Sequence, residues 1–600
     1  MKNEQSLNNL ARQAAQQRVL PPHNLAPATV GFSTQGHLLI TGSEDMIRLA
    51  ADQLQDMASI TLLCTEAIQN TDNAHIEQAL AAAATLPAYQ TKIEAVKGFL
   101  GQFQVSIRHE EQSIELAKLA QNRATFDLIL NLGKNSLFTT ELAPAGYFHI
   151  APDADNFSDV IQQLPEYIGE FEKPRYFQVN QDICAHSNRG QTGCTRCLDV
   201  CPANAISSIK DLISIDPYLC HGAGGCSTAC PTGAITYTLP KPTRLLDYLH
   251  KLLHAYKEAG GTQPALLLHD HEQGQQIVTE LLAQLPGNII PIQLEELAAA
   301  GQEIWLSALA AGVSHILLLD TPTLPESMRA LLTREVRLTQ IMLSGLGYSE
   351  SRLQIIDREQ LNGNSLELIN SLLADQLNSH ERINSPELLN SPEPANNSLA
   401  IDITTPTTTP AAMPEQHDNK RDVLFAALDQ LIAQAPAHES TPETPPLPAH
   451  LTLPAGSPFG QVSIDPSSCT LCLSCVAVCP TQALTSGGEK PALNFTEQNC
   501  VQCNLCERAC PENAITLEPR LLLSDTRKQA VEIHADEAFE CITCSMPFAP
   551  RRTIDKMLDK LSEHRMFQGA AINRLKMCAD CRVKDIYTDL NQHPEKQLEL

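Results

Sequence analysis

The stretch Cys469–Pro480 reads CTLCLSCVAVCP, and the stretch Cys500–Pro511 reads CVQCNLCERACP. Each is a C-x2-C-x2-C-x3-C-P run. Three closely spaced thiolates can wrap one face of a cuboidal iron–sulfur cluster, while a fourth must approach from another direction. The proline after each fourth cysteine fixes φ and removes a backbone donor, which suits a sharp exit from a ligand loop. Eight cysteines at this spacing imply bound clusters and single-electron chemistry.

The doubled run resembles bacterial-type two-cluster ferredoxins. The resemblance implies that the fourth cysteine of each run ligates the other run's [4Fe–4S] cluster. One set is then Cys469, Cys472, Cys475 and Cys510, and the other is Cys500, Cys503, Cys506 and Cys479.

An earlier segment, CAHSNRGQTGCTRCLDVCP from Cys184 and CHGAGGCSTACP from Cys220, resembles the same family with two departures. Nine residues separate Cys184 from Cys194, an inserted polar loop of a kind tolerated because closure entropy grows slowly with length. Ala223 stands where the second run should carry its middle cysteine. Carrying the ligand rule over gives Cys184, Cys194, Cys197 and Cys230 around one cluster, and Cys220, Cys226 and Cys201 around a second that lacks a fourth thiolate. Three outcomes stay open there: a [3Fe–4S] cluster, a [4Fe–4S] cluster with His221 or water as the outside ligand, or no cluster. An open iron could act as a Lewis acid.

Near the end of the chain, ECITCSMPF supplies Cys541 and Cys544, and MCADCRVKD supplies Cys578 and Cys581. Two C-x2-C knuckles make a tetrahedral four-sulfur site, for which structural zinc is the leading reading, with rubredoxin-like iron or a further cluster as alternatives. The intervening RTIDKMLDKLSEHR reads as a helix. Nine Lys/Arg between Arg551 and Lys584 face only four Asp/Glu, an excess that suits docking on an acidic redox surface better than nucleic acid.

The remaining sequence surrounds these metal sites. HLLITG, SITLLCT, FQVSIRH and FDLILNLG read as strands, with SEDMIRLAADQLQDM and EEQSIELAKLAQNR as helices, giving an α/β domain with a largely parallel sheet. Residues 245–375 return to this pattern, with PALLLHD and SHILLLD as strands and GQEIWLSALAAGV as a helix bearing Trp305, the only tryptophan. The run NIIPIQLEELAAAGQEIWLSALAAGVSHILLLD is similar to the delta (iron–sulfur) subunit of hydrogenases linked to heterodisulfide reductase, yet no cysteine lies between Cys230 and Cys469. That implies a docking domain without its own cluster. Residues 376–455 are rich in Asn, Ser, Thr, Pro and Glu and read as a mostly disordered linker, in which DVLFAALDQLIAQ can form one short, transient helix. Such a linker would leave the second module mobile.

The expected organisation is a multidomain chain of α/β and α+β class. An N-terminal arm covers 1–29, an α/β domain 30–174 and a first ferredoxin-like module 175–244. The delta-like domain covers 245–375 and the linker 376–455. The second dicluster module spans 456–530, and a zinc-ribbon-like domain 531–600.

Net charge is −27, which argues against nucleic acid as a target. No apolar run approaches the ~18 residues of a transmembrane span, and no signal peptide opens the chain. Nineteen of 20 cysteines fall in ligand-like groups, leaving Cys64 alone as a structural thiol. A reducing, cytoplasmic setting fits thiols kept for metal. The expected function is electron relay between a redox donor and an oxidoreductase, with a resemblance to the polyferredoxin-like proteins that accompany formate dehydrogenases and hydrogenases. The alternatives are a catalytic subunit using an open-site cluster or a flavin, and a redox-sensing or maturation factor. No catalytic residue is assigned.

Overall fold

The computed structural model describes residues 2–22, 28–66, 86–109, 112–151, 156–186, 192–361, 419–435, 447–488 and 490–592. The first domain is built on a five-stranded sheet in the order Ala88–Gln90, Ser59–Glu66, His37–Ser43, Leu128–Asn131, Tyr147–His149. All its pairs are parallel. Its central strands are unbroken apolar runs because both faces are covered. The Glu44–Gln53 helix packs Ile47, Ala50 and Ala51 against Leu38 and Ile40 on one face.

The opposite face corrects two expectations. FQVSIRH does not join the parallel sheet: Gln104–His109 is the middle strand of a separate antiparallel sheet. Its alternation explains this, since Phe103, Val105 and Ile107 turn inward onto Leu39, Leu63 and Ile129 while the residues between them turn away. EEQSIELAKLAQNR is not one helix either. Gln112–Glu115 completes that antiparallel sheet, and only Leu116–Gln121 is helical. Cys64 is half-buried, and its thiol donates to the Glu66 carbonyl at 3.3 Å.

The domain expected to be delta-like, which keeps that name here only as a label, holds a four-stranded parallel sheet in the order Ile289–Gln293, Ala265–His269, His315–Leu319, Leu353–Ile356. The Pro242–Glu258 helix starts with proline at its first position, where no backbone donor is required, and buries Leu245, Leu249, Leu252, Leu253 and Tyr256 at helical spacing. Trp305, on the Gln302–Ala310 helix, is fully buried.

Two segments expected to lie outside the folded body are part of its core. Lys2–Arg18, expected as an arm, is a helix that buries Ala11 and Ala15 beside the Pro242–Glu258 helix. It is pinned by Arg12, which donates to the carbonyls of Pro286 and Ile289 at 3.2 and 2.9 Å. Within the expected linker, Lys420–Ala433 is a helix whose Val423, Leu424, Phe425, Ala427, Leu428 and Leu431 are buried against the delta-like domain. Apolar residues surround it on most sides, so it behaves as a core helix rather than an amphipathic surface one. Residues 362–418 and 436–446 lie outside the described residues.

Candidate metal centres

Both cysteine modules are built as pairs of short antiparallel ladders carrying loops. In the first, Phe177–Val179 pairs with Ile235–Tyr237, and Ile206–Ile209 with Leu212–Ile215. In the second, Gly460–Ile464 pairs with Ile515–Leu522, and Leu484–Ser486 with Ala492–Phe495.

The loops repeat a backbone signature that spacing alone does not reveal. Three residues after each fourth cysteine the chain is left-handed, at Asn204, Gly233, Gln482 and Asn513. In the second module the residues flanking each middle cysteine are left-handed as well: Leu471 and Leu473 around Cys472, and Gln502 and Asn504 around Cys503. Gly222 and Gly224 flank Ala223 in the same way. Glycine adopts such angles at no steric cost. Ala223 therefore occupies the middle-cysteine position in space as well as in sequence. The cavity wall that it forms also carries Cys201, Cys220, Cys226, His221 and Met328.

The structure brings together the same sulfurs that the sequence reading grouped. Cys469, Cys472, Cys475 and Cys510 line one cavity with Leu493 and Ile515. Cys479, Cys500, Cys503 and Cys506 line the next with Val462 and Leu517. In the first module the Cys197 thiol is pushed up to about 12 by burial and then by the charges of Cys230, Cys194 and Cys184, and Cys184, Cys197 and Cys230 gather in one core with Cys201, Cys220 and Cys226. Burial raises Cys475 and Cys503 to about 12 and Cys220 to about 11. Four such thiols are costly to ionise together, and a cationic iron–sulfide core is the kind of group that stabilises them as thiolates. Backbone amides also face the sulfurs: Ala205 N donates to Cys201 Sγ and Ala514 N to Cys510 Sγ, both at 3.3 Å. Such bonds tune a cluster once it is held. The donor sets fit iron–sulfur clusters.

His221 is half-buried, and burial lowers its pKa, with the nearby Lys173 charge adding to the effect. Its Nε2 has no hydrogen-bond partner among the described residues.

Cys541, Cys544, Cys578 and Cys581 have sulfur atoms within 4.8 Å of one another, with Cys544 and Cys578 at 3.8 Å. A metal with about 2.3 Å bonds to four tetrahedral sulfurs would hold them about 3.8 Å apart, whereas a cuboidal cluster spreads its thiolates farther. The set fits a single metal ion. Cys541 N donates to the Met546 carbonyl and Ser545 N to that of Cys541, closing the first knuckle inside a hairpin of Ala538–Glu540 with Pro547–Pro550. The ribbon expectation differs from the structure at the second pair. Cys578 and Cys581 stand at the start of the Ala579–Gln592 helix, not on a second hairpin. RTIDKMLDKLSEHR is helical over Arg551–Leu561, as its pattern implies.

The two modules abut. The Cys503 thiol feels the charge of Cys194 across the boundary. Leu505 packs on Gly193, where an added Cβ would stand 2.9 Å from its Cγ. Arg196 donates to the Gly456 carbonyl from the other side. The second module is also fixed to the delta-like domain: His450–Thr452, expected in the linker, pairs with the Ile515–Leu522 strand and packs Leu451 on Gly345, and Arg527 pairs with Asp429 of the Lys420–Ala433 helix. A mobile tethered module is therefore not what the chain forms. Sequence reasoning missed these contacts because none leaves a mark in cysteine spacing.

Among the described residues, no helix is long and apolar enough to cross a membrane. Residues 468–515 match the 4Fe-4S dicluster domain family. The chain is similar to hydrogenase-4 component A of Escherichia coli, 46% identical over 89 residues, or 14% of this chain and 41% of that protein. It is similar to indolepyruvate oxidoreductase subunit IorA of Pyrococcus horikoshii, 38% identical over 60 residues, or 10% of this chain and 8% of that one. The chain thus spans less than half the length of either of these two relatives. It covers 80% of ferredoxin 7Fe of Hydrogenibacillus schlegelii, at 32% identity over 62 residues, or 10% of this chain. With cluster-binding loops of this geometry and that coverage, the chain belongs to the iron–sulfur ferredoxin family.

Proposed function

We propose that the chain relays single electrons along four iron–sulfur sites in a fixed order. The order runs from Cys201/Cys220/Cys226 to Cys184/Cys194/Cys197/Cys230, across the module boundary to Cys479/Cys500/Cys503/Cys506, and on to Cys469/Cys472/Cys475/Cys510. The observation that carries this reading is the contact of the two modules at Gly193 and Leu505, next in sequence to Cys194 and Cys506, where Arg508 also donates to the Thr192 carbonyl, which sets the two dicluster units side by side. Bound clusters supply one-electron chemistry. The protein's own residues hold the order: Leu505 seated on Gly193 excludes water at the crossing, and Ile206, Ile235 and Ile515 shield the sites.

For the Ala223 site the reading is a [3Fe–4S] cluster held by three thiolates. Ferredoxin 7Fe bears seven irons in its name, the total of one four-iron and one three-iron cluster, which is the inventory proposed for the first module. Zinc is proposed for Cys541, Cys544, Cys578 and Cys581, in a structural role since it is redox-inert. The partner proposed is an oxidoreductase of the formate dehydrogenase or hydrogenase type, in the cytoplasm, and the hydrogenase-component likeness supports that class. The delta-like domain serves as the docking scaffold.

Iron, sulfide and zinc quantification on anaerobically purified protein, read with EPR, tests the proposal. Three four-iron signals, one three-iron signal and one zinc per chain are expected. Iron in the second module alone would reduce the relay to a single ferredoxin on a scaffold.

A further inference from the structure

In each module the first cysteine of the second run has its backbone carbonyl held by a cation from elsewhere in the chain. Lys173 Nζ donates to the Cys220 carbonyl at 2.9 Å and to that of Tyr218 at 2.7 Å. Arg421 Nη2 donates to the Cys500 carbonyl at 2.5 Å, its Nε to Gln498 at 2.6 Å and its Nη1 to Pro458 at 3.2 Å. Each cation also lies over aromatic rings: Lys173 over Phe32 at 5.1 Å, and Arg421 over Phe425 and Phe459 at 5.0 and 5.2 Å. The two come from unrelated elements, a strand before the first module and the helix of the expected linker. Cys220 and Cys500 hold equivalent places in their loops.

We infer that Lys173 and Arg421 set the reduction potentials of the sites formed by Cys201/Cys220/Cys226 and by Cys479/Cys500/Cys503/Cys506, making each easier to reduce. The inference rests on the relay reading. A cluster gains one negative charge on reduction, and a fixed positive charge nearby favours that state. Screening is weak here because Arg421 is only 8% exposed. It forms no ion pair within 4 Å among the described residues, so its field is not cancelled by a carboxylate in contact. An arginine remains charged throughout the working range. By contrast Arg552, which lies near Cys469, is exposed and screened by water. The consequence for the relay is that Arg421 favours reduction of the site that receives electrons at the module boundary.

The test is an EPR-monitored redox titration of full-length protein, with each signal assigned by its loss in Cys503→Ala or Cys226→Ala. Arg421→Gln keeps a donor for the carbonyl and removes the charge. It is expected to lower the midpoint of the Cys503 site and leave the other three unmoved. Lys173→Gln is expected to do the same at the Cys226 site alone. Arg421→Lys keeps the charge but cannot grip three carbonyls, and is expected to give an intermediate midpoint. Unmoved midpoints with normal iron content, or equal shifts at all four sites, overturn the assignment. A midpoint lowered as far in Arg421→Lys, which keeps the charge, as in Arg421→Gln, or loss of iron from Arg421→Lys and both glutamine variants alike, assigns the two residues as anchors only and likewise overturns it. Absence of cluster signals from the wild-type protein instead removes the relay reading, and this inference with it.

Discussion

Arg508 Nη1 donates to the Thr192 carbonyl at 2.7 Å, joining residues 316 positions apart in the chain across the boundary between the two cysteine modules. Thr192 is the last but one residue of the inserted loop between Cys184 and Cys194, and Arg508 follows Cys506 by two residues. The insertion, which in sequence looks like a tolerated accident, thus delivers backbone to the neighbouring module. Leu505 and Gly193 meet beside it, and a Cβ at Gly193 would stand 2.3 Å from the Ala185 carbonyl oxygen as well as against Leu505. Gly193→Val is therefore expected to part the modules, with an overpacking cost of about 1–3 kcal/mol. The measurement is magnetic interaction between clusters of the two modules by EPR. Unchanged interaction would remove Gly193 from the crossing.

Arg508→Ala tests the same boundary more gently. The side chain is exposed, so its loss is expected to cost about 1 kcal/mol or less. Faster amide hydrogen exchange at residues 192–198 and 503–508 should accompany it, while iron content stays at the wild-type value. Exchange rates identical to wild type would mean that the apolar contact holds the boundary without it.

The Lys420–Ala433 helix gives a sharper stability prediction. Leu428 is 1% exposed and packs in the delta-like core, so Leu428→Ala is expected to cost about 2–5 kcal/mol, read by chemical denaturation. A residue of a disordered linker would cost nothing measurable. This position also marks where sequence reading was weakest. DVLFAALDQLIAQ is helical by pattern, but its flanks are so polar that composition assigned the whole region to a chain unable to bury enough surface. The helix is stabilised by residues more than a hundred positions away, as when Gln430 Nε2 donates to the Ala310 carbonyl at 3.0 Å.

What could be read directly was local. Cysteine spacing grouped the sulfurs that share cavities, since each loop is short enough for spacing to dictate geometry. Unbroken runs such as LLLH at 266–269 announced parallel strands covered on both faces. FQVSIRH carried its own warning in strict alternation, the mark of a half-covered antiparallel strand. Lys173 and Arg421 had no such signal, because a cation that holds a distant carbonyl obeys no period.

At the C-terminal four-sulfur site, metal removal separates folding from redox. The first knuckle and the Ala579–Gln592 helix meet through few buried side chains, and among the described residues of the region Cys541, Ile554 and Leu575 are the buried apolar ones. With so small a core, the metal must supply much of the local stability. Cys578→Ala is expected to lose one zinc per chain and to open residues 538–592 to limited proteolysis. Iron content and the EPR spectrum of the remaining clusters should stay unchanged, and loss of iron along with the zinc would instead assign the site to the redox path.

Ala223 offers the most direct test of the cluster inventory. It lies between two left-handed glycines in the same loop geometry that presents Cys472 and Cys503. A thiol placed there should reach the cavity shared by Cys201, Cys220 and Cys226 without rebuilding the backbone. Ala223→Cys is expected to replace the three-iron EPR signature by a four-iron one and to raise iron content by about one per chain, the difference between the two cluster types. His221→Ala discriminates the remaining alternative. Held by three thiolates alone, the site should keep its spectrum in that variant, whereas a histidine-ligated four-iron cluster would lose an iron and acquire the three-iron signature. Each substitution changes the iron count under one reading only, Ala223→Cys if three thiolates alone hold the site and His221→Ala if His221 is the ligand, so the pair decides what fills the place of the missing cysteine.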